Sequence, residues 1–134
     1  MPDDAKDFAG FVPLAGTLGI QISTATPEEV RGWMAWAPEL CTTGGVLHGG
    51  AIMALADTVA SACAFLNLAD GTITSTIEAK TNFLRAVTSG SVEAVARPLH
   101  VGRSTIVLQT EVFDQDGRRV AHTTQTQAVR APAG

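Results

Sequence analysis

One acid stands inside an otherwise uncharged apolar run. Residues 47–66 read Leu-His-Gly-Gly-Ala-Ile-Met-Ala-Leu-Ala-Asp-Thr-Val-Ala-Ser-Ala-Cys-Ala-Phe-Leu, with Asp57 near the middle. An aspartate is almost never fully buried without a partner or a task. On the residues alone two readings stand: an acid satisfied by Ser61 or by backbone, and a functional carboxylate, since perturbed acids concentrate at sites. Burial disfavours the ionised form unless hydrogen bonds hold it. Ser61, one helical turn on, and a strand hydroxyl such as Ser75 are candidates for that. Gly49 opens the same helix. There its N–H has no intrahelical partner, the helix dipole favours negative charge, and the missing Cβ leaves room for a carbonyl. His48 reads as a residue that orders the helix entry, because a lone histidine without a matched acid does not make a base.

The elements around these residues follow from periodicity. A helix over 49–68 carries two stripes. Ile52, Leu55, Val59, Ala62 and Leu66 are bulky and need a sheet beneath them. Gly50, Met53, Ala54, Asp57, Ser61 and Ala64 are small or polar and admit a second helix or a ligand. A short helix is expected over 3–12, with Phe8, Phe11 and Val12 on one face and Pro13 ending it. Segments 18–25 and 30–37 read as a hairpin, 38–46 as a loop, and 72–86, 91–100, 104–113 and 119–130 as four further strands. Their links are short, which predicts antiparallel neighbours throughout. The Gln/Thr-rich stretch 123–127 reads as a strand with a polar outer face. The fold class is therefore α+β: about six antiparallel strands wrapped round one long helix, in one domain spanning 1–134. Residues 1–17 form its helical lead-in and 131–134 a frayed tail. The uncovered small stripe and sheet edge favour a dimer.

Composition narrows the function. Hydrophobic residues make up 46% and charged residues 16%, as in a globular chain, and the net charge is −4 without a basic run. Nucleic acid and anionic membrane are thus not expected as partners. Although the 47–66 run is long enough to span a bilayer, a midspan aspartate costs about 2.5–3.5 kcal/mol there. Cys41 and Cys63 lack metal-ligand spacing, so no metal is expected. The polar start of the chain implies the cytoplasm.

Three motifs resemble the hotdog-fold acyl-CoA thioesterases, in particular the phenylacetic-acid-degradation and 4-hydroxybenzoyl-CoA thioesterase group. They are His48-Gly49-Gly50 with Asp57 on one helix; Glu78-Ala79-Lys80-Thr81-Asn82-Phe83-Leu84-Arg85-Ala86; and Val101-Gly102-Arg103-Ser104-Thr105 followed by Asp116-Gly117 and Val120-Ala121. The resemblance implies hydrolysis of a small aromatic or medium-chain acyl-CoA, with Asp57 as nucleophile or general base and the Gly49 N–H polarising the thioester carbonyl. Ser61 and Ser75 match positions that place water or the acid. Gly50, Asn82, Phe83, Arg85, Arg103, Ser104 and Thr105 fall on the substrate and coenzyme A side. Thr42 stands where the family often has Asn or Gln. Coenzyme A is part of the substrate, and no separate cofactor is implied. The family is commonly a dimer of dimers.

A non-catalytic acyl-CoA-binding module is the alternative. A hydratase or dehydratase is disfavoured by the position of His48 before Gly-Gly. Along a helix, Gly49 and Asp57 lie roughly 12 Å apart at 1.5 Å per residue. A shared site therefore follows as an expectation: Gly49 from one subunit and Asp57 from the other, on antiparallel helices.

Overall fold

The computed structural model describes residues 10–132. Helix α1 (Pro13–Leu18) leads into the hairpin β1 (Gln21–Thr26) and β2 (Glu29–Ala35). Two 3-10 turns (Pro38–Leu40 and Thr43–Gly45) precede the long helix α2 (Gly49–Leu66). Strands β3 (Ile73–Phe83), β4 (Ser91–Val101), β5 (Thr105–Asp114) and β6 (Arg119–Arg130) complete the chain. They form one antiparallel sheet in the order β1-β2-β4-β5-β6-β3. Helix α2 touches every strand, which is the hotdog arrangement the motifs imply.

The bulky stripe of α2 makes this packing. Ile52, Leu55, Val59 and Ala62 are buried against Val30 and Met34 of β2, Val92, Ala94 and Ala96 of β4, and Ile106, Leu108 and Val112 of β5. Each large side chain so buried contributes about 1.5–3 kcal/mol. The helix comes close because the sheet is thin below it. Gly32 pairs with Ala94 across β2 and β4, and a Cβ on Gly32 would stand 2.7 Å from Val59 Cγ2. By length and composition α2 would also suit a bilayer, yet half of it is buried inside the fold. Register shifts in β1, β3, β4 and between β5 and β6 bend the sheet around it.

Three expectations are corrected. Pro13 opens α1, a helix not expected from the sequence, and the 3-10 turn at 10–11 stops just before it. The proline sits in the first turn, where its fixed φ and missing N–H are harmless, and Gly19 closes α1 in the left-handed conformation. The helix expected over 3–12 lies outside the described residues except for 10–12. Strands β3 and β4 are not neighbours: β3 pairs along β6, while β4 pairs with β2 and β5. The link 84–90 is long enough to cross the end of the sheet, and on its way Val87 accepts a backbone hydrogen bond from Leu47 beside the start of α2. Finally, Thr123, Gln125 and Gln127 of β6 face inward. They are at most 2% exposed, beneath α2, and the outer face falls to the residues between them.

Candidate active site

The site begins at the entry of α2. His48 is its N-cap, and its Nδ1 accepts the Gly50 N–H at 2.7 Å, which leaves the ring proton on Nε2. The Ala51 and Ile52 N–H groups both donate to the His48 carbonyl, at 3.0 and 3.2 Å. Of the first-turn donors, only the Gly49 N–H has no acceptor among the described residues. The Phe83 ring lies over Gly49, so a Cβ there would meet its Cζ at 3.0 Å. Thr42, Gly49, Phe83 and Arg85 line one pocket of about 460 Å³ at this end of the helix.

Midway along α2, Asp57 emerges toward the β3–β6 edge. In the single chain its side chain is exposed rather than buried. Its Oδ1 accepts two hydrogen bonds, from Thr76 Oγ1 and from Gln125 Nε2, each 3.0 Å. Oδ2 accepts none among the described residues. The carboxylate borders a pocket of about 250 Å³ with Met53, Ala54, Thr76, Ala79, Thr81, Thr123 and Gln125. The holding hydroxyl is thus Thr76, not Ser61 or Ser75. Ser61 Oγ instead accepts from Gln127 Nε2 at 3.1 Å, and the same nitrogen donates to Thr76 Oγ1 at 3.0 Å. Ser75 makes no hydrogen bond through its side chain among the described residues. It joins Ser61, Phe65, Leu68, Ile73, Thr76 and Gln127 around a third pocket of about 380 Å³.

A β-bulge aligns these groups. Thr76 pairs with Gln127 and Glu78 with Thr126, so Ile77 is the extra residue on β3. The shift lets Thr76 and Ala79 both line the Asp57 pocket, where unbroken alternation would put one of them on the outer face.

One chain does not bring all the expected residues together. His48 and Gly50 line a separate pocket beside α1. Arg103 lines another at the far end of α2, near Asn67 and Val129. Asn82 and Ser104 are exposed and Thr105 half-buried, none with a hydrogen bond through its side chain among the described residues. Arg85 and Arg103 carry no ion pair among the described residues, whereas Arg31, Arg97, Arg118 and Arg119 are all paired with carboxylates. Thr76, Gln125 and Gln127 were not expected at the site. For the two glutamines the signal is phase: Ala121, Thr123, Gln125 and Gln127 share one strand face, so a buried Ala121 puts both inside, whereas Thr76 leaves no such sign.

The chain resembles known proteins in both sequence and structure. The family model described as "Thioesterase superfamily" matches residues 44–121. The putative esterase ComA2 of Bacillus subtilis is 39% identical over 118 residues, covering 87% of this chain and 93% of that protein. The crystal structure of thioesterase HI1161 from Haemophilus influenzae superposes with a TM-score of 0.86 at 30% identity, covering 90% of this chain and 85% of that one. A mutant of thioesterase PA1618 from Pseudomonas aeruginosa gives a TM-score of 0.89 at 28% identity, covering 96% and 95%. With its six-stranded sheet wound round α2 and this span of matched sequence, the chain belongs to the thioesterase superfamily and is a hotdog-fold thioesterase.

Proposed function

We propose that the chain hydrolyses a small aromatic or medium-chain acyl-CoA, with Asp57 as its working acid. The observation that carries this is the unequal use of the two carboxylate oxygens. Thr76 and Gln125 fix Oδ1, while Oδ2 is left to act in the pocket. Oδ2 either attacks the thioester carbonyl or takes a proton from the water that does. In the water route, the water oxygen bonds to the carbonyl carbon as Oδ2 takes a proton. The carbonyl electron pair moves to oxygen, where the Gly49 N–H receives the charge. Collapse breaks the C–S bond, and the proton on Asp57 passes to the leaving thiolate of coenzyme A.

The Gly49 that serves a given Asp57 belongs to a second copy of the chain. Within one chain the two residues line different pockets, as their spacing on the helix requires. Pairing two β3 edges about a two-fold axis sets the α2 helices antiparallel and brings the start of one to the middle of the other. We assign Arg85 and Arg103, neither ion-paired among the described residues, to the phosphates of coenzyme A. Gly50, Asn82, Phe83, Ser104 and Thr105 complete that side, with Thr42 beside Gly49. The pocket of about 380 Å³ walled by Phe65, Leu68 and Ile73 accommodates the acyl group. A dimer of dimers in the cytoplasm is the expected working form.

Release of free thiol from a panel of acyl-CoAs tests the proposal. Wild type turns over aromatic or medium-chain members, and Asp57→Asn loses about 100-fold or more in kcat. No thiol from any thioester, or an Asp57→Asn variant as active as wild type, refutes it.

A further inference from the structure

Resting on the thioesterase reading above, we infer that Gln125 and Gln127 of β6 are positioning residues for Asp57: Gln125 donates to its Oδ1, and Gln127 donates to the Thr76 hydroxyl that grips the same oxygen. The argument runs outward from the acid. A carboxylate only accepts, so Thr76 Oγ1, 3.0 Å from Asp57 Oδ1, must donate to it. A hydroxyl has one proton, so the contact between Thr76 Oγ1 and Gln127 at 3.0 Å has Gln127 as the donor. That places Nε2, not Oε1, at this corner of the Gln127 amide. On the other side Thr74 Oγ1 stands 3.0 Å from Oε1 and 2.9 Å from the Ala128 carbonyl, so its one proton is divided between these two acceptors. The same Nε2 reaches Ser61 Oγ at 3.1 Å, so Ser61 must accept from it, and its own proton points elsewhere.

Gln125 closes the arrangement from the other side. Its amide can present only nitrogen to Asp57 Oδ1, and this leaves its own Oε1 buried without a partner among the described residues. A fully buried glutamine with an unsatisfied carbonyl is a poor choice for packing. Its place here is explained by the acid it holds. Among the described residues, no titratable side chain other than Asp57 lines this pocket.

The test measures kcat, KM and Tm for Gln125→Met, Gln127→Met, Thr76→Val and Thr76→Ser beside wild type and Asp57→Asn. Methionine keeps the length of glutamine and removes its donor. Both methionine variants are expected to lose about 10- to 100-fold in kcat, the usual scale for a residue that holds a reacting group in place, with KM within about twofold. The Tm of Gln125→Met stays level or rises, because an unsatisfied buried carbonyl has gone. Thr76→Val falls like the methionine variants, and Thr76→Ser, which keeps the hydroxyl, stays near wild type. Methionine variants with kcat within about twofold of wild type overturn the inference. So does a loss of kcat that follows a lowered Tm, which marks the glutamines as structural. If wild type is active and Asp57→Asn is not, retention of activity by the methionine variants refutes only this inference. An inactive wild type refutes the reading beneath it as well.

Discussion

At the scale of single residues, the inner side of α2 treats its polar groups in opposite ways. Asp57 is held by two donors at the open edge of the sheet, whereas Cys63 is enclosed. Cys63 is fully buried; its Sγ donates to the Pro27 carbonyl at 3.6 Å and accepts from Asn67 Nδ2 at 4.0 Å. Burial, with a smaller push from the negative charge of Glu28, raises its thiol to about 11. The unfolded chain then releases this proton at lower pH than the folded one. Stability is undiminished by Cys63 below about pH 9 and falls as pH rises through about 11. Urea midpoints measured from pH 8 to 11 should decline more steeply for wild type than for Cys63→Ala. In the folded protein at neutral pH, Cys63 should resist alkylation.

At the scale of elements, α2 packs closely on β2 through Gly32. A Cβ on Gly32 would stand 2.7 Å from Val59 Cγ2 and 3.1 Å from the Gln21 carbonyl, so Gly32→Ala must displace the helix or the β1–β2 hairpin. A loss of about 1–3 kcal/mol is expected by urea unfolding. Because both residues share one contact, Gly32→Ala/Val59→Ala should lose less than the sum of the single variants.

The helix was legible in the sequence because its bulky stripe is local information: Ile52, Leu55 and Val59 recur at helical spacing. The hairpins β1–β2 and β5–β6 were legible for the same reason, through Thr26-Pro27-Glu28 and Asp116-Gly117 at their turns. The partner of β3 was not, because its pairing with β6 spans two intervening strands and leaves no mark on either. The bulge at Ile77 was equally silent, and with it the fact that Thr76 rather than Ser75 meets the acid. The inward placement of Gln125 and Gln127 is hidden because polarity alone does not separate an exposed side chain from a buried, partnered one. Inside a fold a polar side chain needs a partner rather than water, and here α2 supplies one.

At the scale of the whole molecule, the β3 side is unfinished. Ile73, Ile77, Phe83 and Met53 are all exposed there, and β3 offers an 11-residue edge. In a two-fold dimer the contacts are reciprocal, so if Gly49 of one copy meets Asp57 of the other, the residue midway between them faces its own copy. That residue is Met53, 39% exposed beside the Asp57 pocket. Met53→Glu would set two carboxylates against each other at the axis. Sedimentation should then report a smaller assembly than wild type, with thiol release falling as the subunits separate. A variant that keeps both its mass and its activity contradicts this axis.

The edge position of β3 also sets where the fold opens first. Among the described residues, the strand carrying Thr76 has only β6 for a backbone neighbour and is exposed along most of its length, while β4 and β5 lie inside the sheet. Local opening follows such differences, so β3 can detach at a small fraction of the free energy of global unfolding. Each detachment releases Thr76 from Asp57 and leaves the core intact. Amide hydrogen exchange should therefore run fastest, among the strands bordering the site, in 73–83, and should slow there first when the protein is concentrated or given a coenzyme A analogue. Uniform exchange across β3, β4 and β5 would contradict this. On this account the grip on the acid fluctuates with the least protected strand of the sheet, and whatever covers that strand also steadies the acid.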